Sequence, residues 1–236
     1  MKTVDFRYRT TEEEVMDDFD LQGEELRRTL KDLDKVNKWL GGYRITIDGI
    51  KELLSGNQHR TIRIMDVGCG DGSLLREIAA YGKEENLELE LLGIDANTHT
   101  IEIARELAKE FPEISFQAVN IFSKAFENME ADIILCTLTL HHFRDDQIKE
   151  LLKLFLKNSR IGIVINDLQR SPLAFRLFQV FCAVFINNEI ARKDGLISIR
   201  RGFRRKDLER LGEGLPAVQK IRWKWAFRYQ WIFYKS

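Results

Sequence analysis

Apolar residues at Leu26, Leu30, Leu33, Val36 and Leu40 recur at helical spacing through a charged stretch until Gly41 and Gly42 break the pattern. Residues 13–54 therefore predict two or three N-terminal helices. From Arg60 the period changes. Short β-branched runs alternate with amphipathic stretches, IRIMDVG with LLREIAAYGKEEN and LELELLGID with TIEIARELAKEF, the pattern of a βαβα series. ISFQAVNIF, ADIILCTLTL, the helical DDQIKELLKLFLKN and the strand IGIVIND continue it. The fourth and fifth strands are apolar enough to lie centrally in a parallel sheet covered by helices on both faces.

Two later stretches carry their own expectations. After Ser171 and Pro172, the run LAFRLFQVFCAVFINN is interrupted by Arg176 and Gln179 and predicts a buried helix lying on the sheet, in preference to a lipid-contacting surface. Near the C-terminus Trp223, Trp225, Phe227, Tyr229 and Trp231 alternate with Lys224, Ala226, Arg228 and Gln230. Period two predicts strand, within a hairpin, with the aromatic residues on one buried face; a base-stacking platform is the competing use of such a ladder.

A chain of 236 residues with 44% hydrophobic content can bury the core of one domain with a small appendage. Lys plus Arg and Asp plus Glu both number 37, so no global field favours nucleic acid or an acidic partner. The three cysteines, Cys69, Cys136 and Cys182, are far apart and set among apolar residues, which fits reduced thiols better than a disulfide framework. The first residues lack an apolar leader region and no run approaches the roughly 18 apolar residues of a membrane span, so a cytoplasmic location is expected.

The chemistry concentrates in MDVGCGDGS. Asp66 ends a strand, and Gly68, Gly70 and Gly72 precede a helix that Asp71 or Ser73 can cap. A second carboxylate, Asp95, ends the next strand, where it can accept both hydroxyls of a ribose. Dinucleotide loops read GxGxxG, whereas this chain reads GxGxG with Ser73 in the place of the third glycine. Asp66 would also repel a pyrophosphate. S-adenosylmethionine (SAM) has no phosphate and carries ammonium and sulfonium groups, so an acid beside the loop suits it by sign.

On DVGCGDG and Asp95, the sequence resembles the class I SAM-dependent methyltransferases over roughly residues 60–236. The resemblance implies an α/β fold with a Rossmann-like, mostly parallel seven-stranded sheet in the order 3-2-1-4-5-7-6, strand 7 antiparallel, behind an N-terminal helical extension. The division expected is a helical cap or lid over residues 1–57 and a SAM-binding methyltransferase domain over residues 58–236. Asp66, Gly68, Cys69 and Gly70 would contact the methionine part of SAM, and Asp95 with Ala96 the ribose. Asn120, where the family often has an acid, would meet the adenine beside Ile121, and Cys136 and Thr137 would line the pocket. INDLQRSPLAF, DGLISIRRGFRRKDL and LDKVNKWLGG are further similar to bacterial quinone- and polyketide-tailoring methyltransferases, which suggests a phenolic or related hydroxyl acceptor.

In open α/β sheets ligands sit beyond the carboxyl ends of the strands, which places Asp66, Asp95, Asn120, His141, His142, Asn166 and Asp167 along one edge. A hydroxyl acceptor needs a base. His142 matches the histidine that follows strand 4 in several O-methylating relatives, and His141 is the second candidate. The competing reading has both shaping a turn that Asp145 caps. His59 and His99 read as ordinary polar residues. Asp145, Asp146, Asn166 and Asp167 could hold Mg²⁺, but capping and strand-end roles explain them, and no metal is expected. The basic run over residues 200–207 reads as a solvated helix start or a clamp for an acidic group, so no nucleic-acid partner is expected. The helices around Trp39, Gly41 and Gly42 would close over the cofactor or form a dimer contact. Monomer and homodimer stay open, and a non-catalytic SAM-binding scaffold or regulator and a nucleic-acid methyltransferase remain as alternatives.

Overall fold

The computed structural model describes residues 4–55 and 61–235. A 3-10 turn at Val15–Asp17 precedes α1 (Gly23–Trp39) and α2 (Gly42–Leu54). Strands and helices then alternate: β1 (Ile62–Val67), α3 (Ser73–Glu84), β2 (Leu89–Asp95), α4 (Thr98–Leu107), β3 (Ile114–Ala118), α5 (Lys124–Glu127), β4 (Ala131–Thr137). After a 3-10 turn at Leu140–His142 come α6 (Asp145–Asn158), β5 (Ser159–Leu168), α7 (Pro172–Phe185), α8 (Glu189–Arg201), α9 (Arg205–Gly212), β6 (Val218–Lys224) and β7 (Arg228–Tyr234). The seven strands lie in the order β3-β2-β1-β4-β5-β7-β6. β1 to β5 pair in parallel, and β7 runs antiparallel to both β5 and β6. The expected fold class and strand order are those observed.

Alternation along β4 shows how the sheet is sealed on both sides. Ile133 and Leu135 pack with Ile50, Leu53, Leu75, Ile78 and Ile101 of α2, α3 and α4. Ile134 and Cys136 face the other way, onto Ile148, Leu152 and Phe155 of α6 and Leu208 and Leu211 of α9. α2 thus belongs to the layer covering the sheet, and the residues free to cap the strand ends are those up to Leu40. The proposed boundary after residue 57, like His59, lies outside the described residues.

Two expectations are corrected by this packing. α7 does not lie buried on the sheet. Only Ala174 and Cys182 of its side chains are buried, while Leu173, Leu177, Val180, Val184 and Phe185 are exposed. With both sheet faces already occupied, α7 stacks on α8 and on Trp39, whose ring meets Phe181 and Phe185 edge-on. The aromatic ladder is not one strand face either. The hairpin turns after Lys224, which leaves Trp223 and Trp225 exposed and Tyr229 and Trp231 buried. β7 is buried on both faces because it lies between β5 and β6 under two helical layers.

Candidate functional site

At the carboxyl end of β1 the chain makes the glycine turn expected from the sequence. Gly68 has φ +72°, and a Cβ there would come within 2.4 Å of Thr139. The amides of Gly68 and Cys69 donate to the carbonyl of Ile94 (2.8 and 3.0 Å), and the Gly70 amide donates to Asp95 Oδ2 (3.2 Å). Asp95 Oδ1 accepts from the Asn97 amide (3.0 Å). The two strand ends are therefore tied into one unit. Gly72 occupies the cap position of α3, and the Asp71 carboxylate accepts from the Ser73 amide (3.0 Å) just inside it.

Asp66 is 2% exposed, and its Oδ1 has no partner among the described residues. Burial, with the Asp95 charge adding to it, pushes its carboxyl up to about 8. An acid in that state is poised to ionise when a cation arrives. It lines a cavity of about 690 Å³. Gly68, Cys69, Gly70, Asp95, Ala96, Asn120, Ile121 and Thr137 line the same cavity, as do His141 and His142. Cys136 does not: its side chain is fully buried against the α6 side of the sheet. Asn120 reaches the cavity with its Oδ1 already accepting from the Phe122 amide (2.9 Å), so one lone pair is left for a ligand.

The histidines sit in two parallel dyads. His141 Nδ1 is 2.7 Å from Asp167 Oδ1, and the His141 amide donates to Asp167 Oδ2 (3.1 Å). His142 Nδ1 is 2.5 Å from Asp17 Oδ1. Their rings lie 4.3 Å apart. Glu14 reaches between them, with Oε1 3.6 Å from His141 Nε2 and Oε2 4.0 Å from His142 Nε2. The His141 side chain is 2% exposed and that of His142 23% exposed. Burial pulls the His141 pKa down, but the charge and hydrogen bond of Asp167, with Glu14 behind them, prevail and raise it to about 9.

α8 holds this arrangement in place. Arg201 Nη1 is 2.5 Å from Asp17 Oδ2, and its Nη2 donates to the His142 carbonyl (2.6 Å). Ser198 Oγ donates to Glu14 Oε2 (2.7 Å), and Asp194 accepts from the amides of Val15 and Met16 (2.9 and 3.0 Å). Glu14 and Asp17 carry no mark in the sequence, and Arg201 stands out there only as one member of the basic run 200–207. They come from a charged leader and a basic run, where local pattern carries no signal for a site.

Other expected residues fall elsewhere. Arg144 stands at the cap position of α6, and Asp145 is the helix's first residue, paired with Arg9 (2.8 Å) and Arg210 (2.6 Å). Asn166 and Asp167 lie near the end of β5 and do not line the cavity. Asn166 Nδ2 donates to the Gly42 carbonyl (2.9 Å) and so tethers α2. The basic run is dispersed: Arg200 pairs with Glu12, Arg201 is buried against Asp17, and Arg205 pairs with Glu209.

Among the described residues, Glu14, His141 and His142 form the one cluster able to hold a metal, with ligand atoms within 4.8 Å of one another. No sequence spacing foretold it, because Glu14 lies far from the histidines. To ligate a metal, His141 would have to give up the proton that Asp167 and Glu14 favour on it.

Residues 58–185 match the family model described as "Methyltransferase domain". A carboxy-S-adenosyl-L-methionine synthase of a Nitratiruptor species is 30% identical over 112 residues, covering 47% of this chain and 45% of that protein. A ubiquinone biosynthesis O-methyltransferase of Bordetella avium is 28% identical over 144 residues, covering 60% of this chain and 56% of that protein. The chain spans about half the length of these curated relatives. The plantazolicin methyltransferase solved with S-adenosylhomocysteine (SAH) superposes with a TM-score of 0.66 at 16% identity, over 89% of this chain and 90% of that one. That likeness is one of fold.

Proposed function

Because the chain belongs to the methyltransferase-domain family, we propose that it transfers the methyl group of SAM to a small, largely apolar acceptor, most favourably onto a phenolic or similar hydroxyl oxygen. The observation that carries this reading is the buried Asp66 carboxyl, whose Oδ1 has no partner among the described residues, beside a glycine turn that is bonded to Asp95. Asp66 takes the ammonium of the methyl donor. Asp95 accepts from the ribose hydroxyls with the lone pairs that Gly70 and Asn97 leave free. Ala96, Asn120, Ile121 and Thr137 surround the adenosyl group. Bound SAM supplies an electrophilic methyl carbon on sulfur.

The chain's part in the displacement is alignment and proton removal. Holding the acceptor oxygen about 3 to 3.5 Å from the methyl carbon supplies most of the acceleration. Phe19, Leu33, Phe143, Phe178 and Ile199 line the remainder of the cavity and exclude water from that contact. His142 is the general base: Asp17 fixes Nδ1, which leaves Nε2 as the atom that takes the hydroxyl proton. His141, already protonated and enclosed, positions Glu14 and the turn that carries His142. Residues 4–40 act as a lid whose inner edge brings Glu14 and Asp17 to the histidines.

Incubation with methyl-labelled SAM and a panel of phenols, catechols and amines tests the assignment. Label on oxygen is expected. SAM binding with no transfer to any of them would favour a non-catalytic scaffold. Transfer to nucleic acid is not expected, since Arg200, Arg201 and Arg205 of the basic run are each paired with an acid of the same chain.

A further inference from the structure

Arg228 opens β7 opposite Leu168, the last residue of β5, and lines the cavity. It is 2% exposed, yet neither its Nε nor its Nη1 has a hydrogen-bond partner among the described residues. The carboxylate whose charge acts most on it is that of Asp167, whose oxygens already accept from His141 and from the Leu168 amide. Asn37 Oδ1, also in the cavity wall, is likewise without a partner. Both groups pack directly against Gly42: a Cβ there would come within 2.8 Å of Arg228 Nη1 and 2.3 Å of Asn37 Oδ1, so a side chain at this position would displace them.

A buried guanidinium with no hydrogen-bonded anion among the described residues is costly to maintain, and folding alone gives no reason to keep it, since an apolar chain of similar length would pack there without the penalty. Burial lowers its pKa to about 10, which still leaves it charged at neutral pH. Its planar array of donors matches a carboxylate better than any neutral group. We propose that Arg228 is a carboxylate anchor inside the cavity. The inference rests on the methyl-transfer reading, because in that reading a carboxylate can come from two sources: the aminoacyl end of the methyl donor, or an acid group on the acceptor.

Calorimetry on the full chain and on Arg228→Met separates them, with three kinds of probe. SAH carries the donor's carboxylate, and 5′-methylthioadenosine carries none, so binding of the latter reports the donor site independently of Arg228. 4-Hydroxybenzoate and the neutral 4-hydroxybenzyl alcohol, titrated into the SAH complex, report an acceptor acid. If the donor is the source, Arg228→Met weakens SAH at least tenfold and leaves methylthioadenosine unchanged. If the acceptor is the source, SAH binding is unchanged, the wild-type complex prefers the benzoate over the alcohol, and the variant loses that preference. Arg228→Lys, which keeps the charge but not the fork, shows the same loss in smaller measure. Unchanged SAH affinity together with no preference for the acid in the wild type overturns the proposal. So does a melting temperature of ligand-free Arg228→Met below that of the wild type with ligand selectivity intact, because the guanidinium would then be structural.

Discussion

His142 Nδ1 lies 2.5 Å from Asp17 Oδ1 although 125 residues separate them in the chain. The contact joins the turn after β4 to the segment leading into α1, so the orientation of the candidate base depends on the lid being in place. Removing the base by His142→Ala should lower turnover by about 10² to 10⁴ with SAH affinity unchanged. Asp17→Ala should lower kcat in the same direction by freeing the imidazole, and should also shift the pH profile of kcat. Single-turnover assays with a methylated phenol as product check both. Unaltered turnover in His142→Ala removes that residue from the mechanism.

Asp66 makes donor affinity depend on pH. With its carboxyl pushed up to about 8, it is largely protonated at neutral pH before the donor binds. An ammonium group beside it lowers that pKa, so binding releases a proton and tightens as pH rises toward about 8. The limiting slope is about tenfold in affinity per pH unit. Asp66→Asn should bind more weakly and show a flat profile over the same range. Calorimetry in buffers of different ionisation enthalpy detects the released proton, and equal slopes in the two proteins would contradict the assignment.

The His141 dyad contributes to stability with a defined sign. Its pKa is raised from 6.5 to about 9, so the stabilisation is fully present below about 6.5 and is lost as pH rises through about 9. Asp167 and Glu14, both held below their ordinary values, act in the opposite sense, and their contribution is lost as pH falls into the carboxylate range. Replacing the imidazole strips Asp167 of its hydrogen-bonded cation, while Glu14 keeps Arg201, 3.5 Å away. His141→Ala should therefore cost about 3 to 5 kcal/mol near neutrality. Chemical denaturation at several pH values checks this, with the gap to the wild type narrowing as pH rises toward 9. A constant gap would mean that packing, not charge, is what the ring supplies.

The parts of the site that could be read from the sequence are those made by neighbours in the chain. Asp66 to Gly72 is a strand, a turn and a helix start in one short run, and Asp95 closes the adjacent strand of the same unit, so period and spacing reveal them. The apolar run of β4 likewise announces a central strand. Glu14 and Asp17 were hidden because a charged leader has no local requirement that marks two of its acids for burial. Arg228 was hidden for a similar reason, in an alternating pattern that the turn after Lys224 interrupts. The apolar spacing of α7 shows that it is a helix but not what it covers, and once α2, α3, α4, α6 and α9 fill both faces of the sheet it is left at the cavity wall. Cys136 shows the converse error. It belongs to a strand that borders the cavity, yet side-chain alternation turns it into the core and gives the cavity to Thr137.

The central claim is that the glycine turn and Asp95 bind a methyl donor, and titration calorimetry with SAH tests it most directly. The wild-type chain is expected to bind one equivalent, and Asp95→Ala to bind about 10- to 100-fold more weakly, since hydrogen bonds from ligand hydroxyls to a carboxylate are lost. No binding of SAH by the wild-type protein, or equal binding by Asp95→Ala, would contradict it.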